Sequence, residues 1–476
     1  MSDAEPPLYT DLDGTILSTD LLYESFVSAF KASPWVAIQS IGWLLQGRAR
    51  LKEELAGRAS IDVATLPYRE PVVTFLREER ARGRRIVLAT ASWESLAHSV
   101  ARHLGLFDEV IATSREGNLK GEAKATRIAA RSADGCFDYL GDSGADIAVW
   151  RHCRQAYVVE SSPGLSSRMP QGIPVQRVFS AREEGTGLRT ALRALRPHQW
   201  AKNLLVFVPL LAAHRFADPR SVAEAAWAFA AFSLLASGTY LLNDLLDLGA
   251  DRAHPRKRLR PLASGALSIP AGALLCVAAL VGGALLSLQL PPLFRVTLAT
   301  YLLLTVAYSL RLKREPILDV VSLASLYTLR IIAGGFAIEA PASSWLLAFA
   351  MFLFFSLALV KRYAELVSLE IEGKQAAPGR GYAGHDVELI LALGSASAMV
   401  SGLVLALYVN GESASQLYSR PAILWILCPI LLYWISRIWL LAARGQMQDD
   451  PVLFAVKDGV SYYVAAAGIL ILALAK

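Results

Sequence analysis

Cysteine is scarce in this chain. Cys136, Cys153, Cys276 and Cys428 are the four among 476 residues, and their spacing pairs none with another. Neither a disulfide framework nor a zinc site is expected, which suits a cytosolic soluble part. The opening MSDAEPPLYTDLDGT lacks both a basic run and an apolar core, so no secretory signal is expected there. Charge of one sign is also missing: 47 Lys and Arg stand against 41 Asp and Glu, a formal net charge of +6. The cations gather beside apolar runs, and orientation in a membrane explains that more simply than a nucleic-acid partner. No nucleic acid is expected.

Apolar sequence is plentiful, at 54% of residues, and unevenly spread. Residues 1–195 are polar and mixed. From about residue 203 nine blocks of roughly 17–25 apolar residues recur, each long enough to cross about 30 Å of hydrocarbon. Their centres fall near 209, 233, 278, 300, 328, 351, 398, 430 and 466, the first interrupted by Pro209, His214 and Arg215. The loops at 248–266, 311–316 and 361–387 carry most of the Lys and Arg. The positive-inside rule then puts those loops and the amino-terminal domain in the cytosol. Nine crossings leave the carboxyl terminus outside a bacterial-type inner (plasma) membrane.

Before the spans, short β-rich runs alternate with helical patterns: RRIVLATAS, ESLAHSVARHLG, DEVIATS, GEAKATRIAARSA, CFDYLGDS, QAYVVES. That alternation predicts parallel βαβ units. Three parts are expected: an α/β domain over 1–165, a linker with an interfacial helix over 166–195, and an all-α transmembrane bundle over 196–476.

Asp11-Leu-Asp-Gly-Thr15 follows a short apolar entry. Two acids one residue apart at a strand end point the same way, and Gly14 lets the chain turn after them. One carboxylate can attack phosphorus while the next exchanges a proton with the leaving group. Thr90 ends the run IVLAT and is a candidate to hold a phosphoryl oxygen. Lys124 or Lys120 in NLKGEAKATRI offers a cation; Lys124 is favoured because Ile128, four residues on, gives that helix a buried face. Gly141-Asp-Ser-Gly-Ala-Asp146 supplies two further carboxylates. Hard oxygen ligands for Mg²⁺, a phosphate clamp and a nucleophile are what metal-assisted phosphoryl transfer needs.

Over roughly residues 5–165 these motifs resemble the haloacid dehalogenase (HAD) superfamily of phosphatases. The resemblance implies a Rossmann-like sheet, Asp11 as nucleophile and Asp13 as general acid/base. It implies Asp142 as a Mg²⁺ ligand supported by Asp146, in a site that Asp11 and Asp13 complete, with Thr90 and a lysine on phosphate. Segment 16–70 would be a small helical cap.

The second acidic stretch is NDLLDLGADRAHPRKRLRP. Asp244, Asp247 and Asp251 stand at i, i+3 and i+7, which on a helix lies along one face, with Asn243 beside it. Three packed carboxylates repel unless a cation binds them. Mg²⁺ carried with a diphosphate is the natural choice, because it favours a few carboxylates plus substrate phosphate oxygens. A looser set follows in YSLRLKREPILD, where Glu315 and Asp319 are four apart and Arg311 and Lys313 can meet phosphate. Both sets follow an even-numbered span and are expected on the cytosolic side of one cavity.

These two motifs resemble the UbiA superfamily of intramembrane transferases over residues 190–476. The resemblance implies a nine-helix bundle, two Mg²⁺-binding acidic motifs and loss of a diphosphate leaving group. Glu315 stands where that family usually has Asp. RPHQWAKN, NDLLDLGADRAHPRKRLRP, YSLRLKREPILDV, LRIIAGGFA and KRYAEL further resemble the decaprenyl-phosphate phosphoribosyltransferase branch. That branch implies phosphoribosyl pyrophosphate as donor and a polyprenyl phosphate as acceptor. Lys202, Arg256, Lys257, Arg258, Arg260, Lys313, Lys361 and Arg362 are the candidates to hold those phosphates.

The expected protein is therefore a bifunctional membrane enzyme with a fused phosphatase, making a sugar donor for cell-envelope polymers. The alternative is a prenyltransferase moving a prenyl group onto an aromatic or other small acceptor; an ion-binding carrier and an inactive HAD module are the other rivals. Homo-oligomerisation is left open. His254 and His385 read as solvated loop residues, Trp200, Trp345 and Trp434 as interfacial anchors, and Gly334-Gly335 as a point of close helix packing.

Overall fold

The computed structural model describes residues 5–132, 135–160, 164–180, 187–371, 381–447 and 451–476. Residues 161–163 of the expected α/β domain, 181–186 of the expected linker and 372–380 of the third basic loop lie outside the described residues. Contacts divide the chain into two compact units: 1–195 with 240–276, and 196–239 with 277–476.

The first unit is built on six strands: β1 Leu8–Thr10, β2 Ile86–Trp93, β3 Glu109–Thr113, β4 Asp138–Gly141, β5 Gln155–Glu160 and β6 Val175–Ser180. They pair in the order β3-β2-β1-β4-β5-β6, each pair parallel. The central strands are apolar on both faces, as a covered parallel sheet requires. Leu8, Ile86 and Leu88 enter one core with Val73, Leu76 and Val100. Tyr9, Val87 and Ala89, one residue out of phase, enter the other with Ile128, Tyr139 and Trp150. Side chains alternate across a strand, so one run of sequence feeds two cores.

The helices of this unit before residue 196 are α1 Leu21–Ala32, α2 Val36–Leu45, α3 Arg48–Arg58, α4 Glu70–Ala81, α5 Glu94–Leu104, α6 Glu122–Ala129, α7 Ile147–Trp150 and α8 Leu188–Leu195. The expected cap is present as α1–α3. Asp20 caps α1 by accepting the Leu22 N–H at 2.8 Å, and Ala29, Val36 and Leu55 form a small separate core. Because β1 and β4 are neighbours, Asp11 and Asp142 leave the same carboxyl edge of the sheet, where open α/β folds bind ligands.

The remaining helices are α9 Val208–Ala212, α10 Pro219–Leu246, α11 Leu248–Ala253, α12 Ile269–Ser287, α13 Pro292–Leu310, α14 Leu318–Ala337, α15 Ser344–Ile371, α16 Val387–Asn410, α17 Glu412–Leu417, α18 Leu427–Ala443, α19 Pro451–Lys457 and α20 Gly459–Ala475. Among the described residues seven helical segments are long and apolar enough to cross a membrane: α10, α12, α13, α14, α15, α16, and α18 taken with the 3-10 stretch before it, Pro421–Ala443. Of the other two expected blocks, the last is the 17-residue α20. The first is a 3-10 stretch, Pro197–Phe207, running into the five-residue α9. Pro209 and the positive φ of His214 limit it there. In the second unit Phe232, Phe294 and Tyr301 form one core, and Tyr327, Phe354 and Trp439 belong to another. Gly334 carries the close packing expected of it: a Cβ there would lie 2.0 Å from the Val206 carbonyl oxygen.

Candidate functional site

A cavity of about 690 Å³ opens at the carboxyl edge of the sheet, lined by Asp11, Asp13, Lys124, Asp142 and Asp146 among others. Asp11 follows β1 and is pinned by its backbone N–H, which donates to the Leu140 carbonyl at 2.9 Å. Its Oδ1 accepts the Leu12 N–H and its Oδ2 meets Lys124 Nζ, both at 2.8 Å. Asp146 accepts from Tyr139 Oη at 2.7 Å and from the Ser143 N–H and hydroxyl at 3.0 and 2.8 Å. Lys124 also reaches Asp146, at 3.3 Å. Oxygens of Asp11, Asp142 and Asp146 lie within 4.8 Å of one another, and all three residues are buried. Gly14 is required at this turn: its φ is +77°, and a Cβ would fall 2.2 Å from Asp142 Oδ2.

Burial sets the electrostatics. It pushes the Asp142 carboxyl up to about 8, with the charges of Asp146 and Asp11 adding to the effect. It also raises Asp13 well above the usual carboxylate range, helped by Asp20, although Asp13 accepts from Ser92 Oγ and from the Leu21 N–H at 2.9 Å. For Asp146 burial works the same way, but Lys124 and the donors from Tyr139 and Ser143 outweigh it and hold the group low. Burial opposes the charge of Lys124 too, yet Asp11 and Asp146 keep it protonated. Three carboxylates beside Lys124 bring hard oxygen donors together, a set that suits Mg²⁺.

Thr90, the candidate to hold a phosphoryl oxygen, lies inside β2 and not at its end. β2 continues past Thr90 to Trp93, and its register with β3 slips between Ala89 and Trp93. The Thr90 hydroxyl is buried and accepts the Ser92 N–H at 3.0 Å, and of these two residues it is Ser92 that lines the cavity. Lys124 touches Asp11, while Lys120 is exposed at the cavity rim.

The acidic ladder lies in the first unit. α10 ends at Leu246 and α11 begins at Leu248, with Asp247 at the break. The i+4 ladder is kept through it: the Asp247 N–H donates to Asn243 O, and the Asp251 N–H to Asp247 O, both at 2.8 Å. Asp244 and Asp251, both buried, converge on Arg260 Nη1, at 3.0 Å for Asp244. Asp247 pairs instead with Lys31 of α1 at 3.2 Å. Asp244 and Asp251 thus share one arginine, while Asp247 meets a lysine of α1. Arg252, missed in the sequence, is buried and grips Glu24 of α1 with two bonds of 2.9 and 2.6 Å. Arg256, Lys257 and Arg258 are exposed, and His254 Nδ1 accepts the Arg256 and Lys257 N–H groups at 3.2 and 3.3 Å, which shapes their loop.

In the second unit Asp319 is fully buried, held by Arg362 and by Tyr308 Oη at 2.8 Å. Glu315 is exposed, so the two acids stand in unlike surroundings. Arg362 also reaches Glu365 and Tyr308, so its fork is engaged by protein groups. Lys313 and Lys361 are part-buried. Lys202 sits 5.8 Å from the Tyr327 ring centre. Arg330 is buried in α14, donating to Asn203 Oδ1 and to Tyr301 Oη, each at 2.9 Å. A cation inside a membrane-length helix marks a functional position by default, and that rule applied to LYTLRII points to Arg330. The Trp200 and Trp434 indoles donate inward, each at 2.9 Å, to Ser237 and Ser461.

Fold and site together define a hydrolase-type α/β domain fused to a helical membrane transferase. Residues 204–472 match the model of the UbiA prenyltransferase family, and residues 8–151 that of haloacid dehalogenase-like hydrolases. The chain belongs to the UbiA prenyltransferase family, with a HAD domain at its amino-terminal end. It is 38% identical over 465 residues to an uncharacterized protein, y4nM, of Sinorhizobium fredii, covering 98% of this chain and 90% of that protein. It is 38% identical over 277 residues to the nodulation protein NoeC of Azorhizobium caulinodans, covering 57% and 88%. It is 30% identical over 288 residues to the decaprenyl-phosphate phosphoribosyltransferase of Mycobacterium tuberculosis, covering 58% and 91%.

Proposed function

We propose that the membrane part transfers 5-phosphoribose from phosphoribosyl pyrophosphate to a polyprenyl phosphate, and that the HAD domain removes the 5-phosphate from the product. The relation to a decaprenyl-phosphate phosphoribosyltransferase supports the first step. The observation that carries the second is the buried cluster Asp11–Lys124–Asp146 with Asp142 in a cavity of substrate size.

In the proposed hydrolysis Asp11, ionised beside Lys124, attacks phosphorus and forms a phosphoaspartate. Asp13, whose environment keeps it protonated, gives its proton to the departing sugar hydroxyl. Water then attacks the phosphoaspartate, Asp13 takes back a proton, and phosphate leaves. Mg²⁺ is the proposed cofactor, held by Asp11, Asp13 and Asp142 with Asp146 behind them; it would neutralise phosphoryl oxygens.

For the transferase, Asn243, Asp244, Asp247 and Asp251 are the proposed holders of Mg²⁺ and diphosphate, with Glu315 and Asp319 as the second set. Lys202, Arg256, Lys257, Arg258, Arg260, Lys313 and Lys361 are proposed for the phosphates. Arg362 is proposed to position Asp319 instead, since its guanidinium is already engaged there. The amino-terminal domain is proposed to be cytosolic and the carboxyl terminus outside.

Mass spectrometry of lipids made by purified protein, supplied in turn with phosphoribosyl pyrophosphate plus polyprenyl phosphate and with prenyl diphosphate plus an aromatic acceptor, tests the reading. Polyprenyl-phosphoryl ribose is the expected product. A prenylated acceptor instead would replace the reading with the alternative transferase.

A further inference from the structure

Helix α2, VAIQSIGWLL, carries no charged residue. Val36 faces inward against Ala29 and Leu55, with Trp43 packed beside them. On the opposite side Ile38, Ile41 and Leu45, with Trp35 just before the helix, form one stripe at helical spacing. They are 62, 63, 85 and 70% exposed. A stripe of four large apolar side chains left open beside a catalytic cavity is a feature to account for. The rest of the unit says what covers it. Leu44, at the edge of the stripe, lines the phosphatase cavity, and so do Ile269 and Pro270. Those two begin α12, a helix of membrane-spanning length and composition. The cavity lining thus includes a residue of α2 and the first turn of a membrane-length helix. Arg48, exposed three residues past Leu45, and Lys52 and Lys120 put cations around the same opening.

We infer that α2 lies on the bilayer surface and that the cavity takes its phosphomonoester from the membrane, head group inward and chain along the α2 stripe. The apolar face is α2's own; the cations that would meet anionic head groups are Arg48, just past its end, and Lys120 at the cavity. Arg48 and Lys120 are proposed to meet a second phosphate, the one linking head group to lipid, while Lys52 Nζ is already bound to Ala91 O and, at 2.7 Å, to Asn118 Oδ1. The identity of that head group rests on the function proposed above; the docking does not.

The test uses the full chain in phosphatidylcholine/phosphatidylglycerol nanodiscs. On a Cys136→Ser background, nitroxides are placed at Ile38→Cys, Ile41→Cys and Leu45→Cys, with Glu78→Cys as a water-exposed control. Docking predicts oxygen accessibility at least threefold above that of a nickel chelate at the α2 positions, relative to Glu78→Cys. Labels that see nickel as the control does, or that are shielded from both reagents by protein, overturn it. A second arm compares the triple variant I38E/I41E/L45E with the parent. Hydrolysis of p-nitrophenyl phosphate is expected within twofold, while hydrolysis of polyprenyl-phosphoryl 5-phosphoribose in the discs falls at least tenfold. Loss of both activities, or retention of both, also overturns the inference. Should the parent ignore the lipid substrate while the labels sit in lipid, the proposed phosphatase role fails and the docking stands.

Discussion

Two groups of three carboxylates occur in the first unit, and they solve the same repulsion in different ways. At the sheet edge Asp11, Asp142 and Asp146 converge within 4.8 Å around one lysine. In the ladder Asp244 and Asp251 close on Arg260, while Asp247 turns to Lys31. At the sheet edge burial, with the charges of Asp146 and Asp11 added, pushes Asp142 up to about 8. The ladder is nearly balanced by side chains that can withdraw, Arg260 and Lys31 being partly exposed. A rigid sheet and its turns can hold carboxylates against one another; a broken helix end relaxes until it finds counter-ions. The first arrangement is preorganised for a cation, and the second must exchange its own cations for one.

The largest expected effect separates the two groups by activity. Asp11→Asn should lower phosphomonoester hydrolysis by at least ~10³-fold and leave lipid transfer intact, while Asp244→Asn should do the reverse. Parallel assays of both reactions on each variant check this, and a variant that lost both would merge what is held here to be distinct. Next comes the tie between the ladder and the cap. Arg252→Met strands buried Glu24 and should cost about 3–5 kcal/mol, read as faster hydrogen exchange in α1. The pair Glu24→Leu with Arg252→Met should recover most of it.

Magnesium binding should depend on pH at the sheet-edge cluster. Asp142 is raised in the fold above its unfolded value near 4, so the native state holds the extra proton between about pH 4 and 8 and stability falls as pH rises through that window. A bound cation relieves that cost. The rise in Tm on adding Mg²⁺ should therefore be greater at pH 8 than at pH 5, and Asp142→Asn should flatten the difference; scanning fluorimetry of the full chain measures it. The smallest effect distinguishes the two lysines: Lys124→Met should reduce hydrolysis by about 10²-fold, Lys120→Ala by less than about threefold, in steady-state kinetics.

Much of this site is legible in residue order. DLDGT and GDSGAD carry their chemistry within short stretches, and the spacing of Lys124 from Ile128 distinguishes it from Lys120. The end of β2 was not legible, because the strand runs on past Thr90 to Trp93 and a register slip is invisible in a run of apolar residues. The ladder's i, i+3, i+7 spacing is intact, yet Asp247 faces Lys31 across 216 residues of sequence, a pairing no local pattern carries. The count of long helices differs at the ends for the opposite reason: Pro209 and His214 are local signals, and the chain obeys them.

From the sequence by itself came what depends on neighbours along the chain: an α/β domain, a train of apolar spans, two acidic motifs and the residue types their chemistry demands. Hydrophobic period and motif spacing are local properties, so they survive without coordinates. The tertiary structure alone decided which carboxylates meet, which cation each one keeps, and that Arg252 joins the ladder to the cap. Those outcomes turn on side chains distant in sequence competing for burial and counter-charge, a contest settled only when the whole chain has folded.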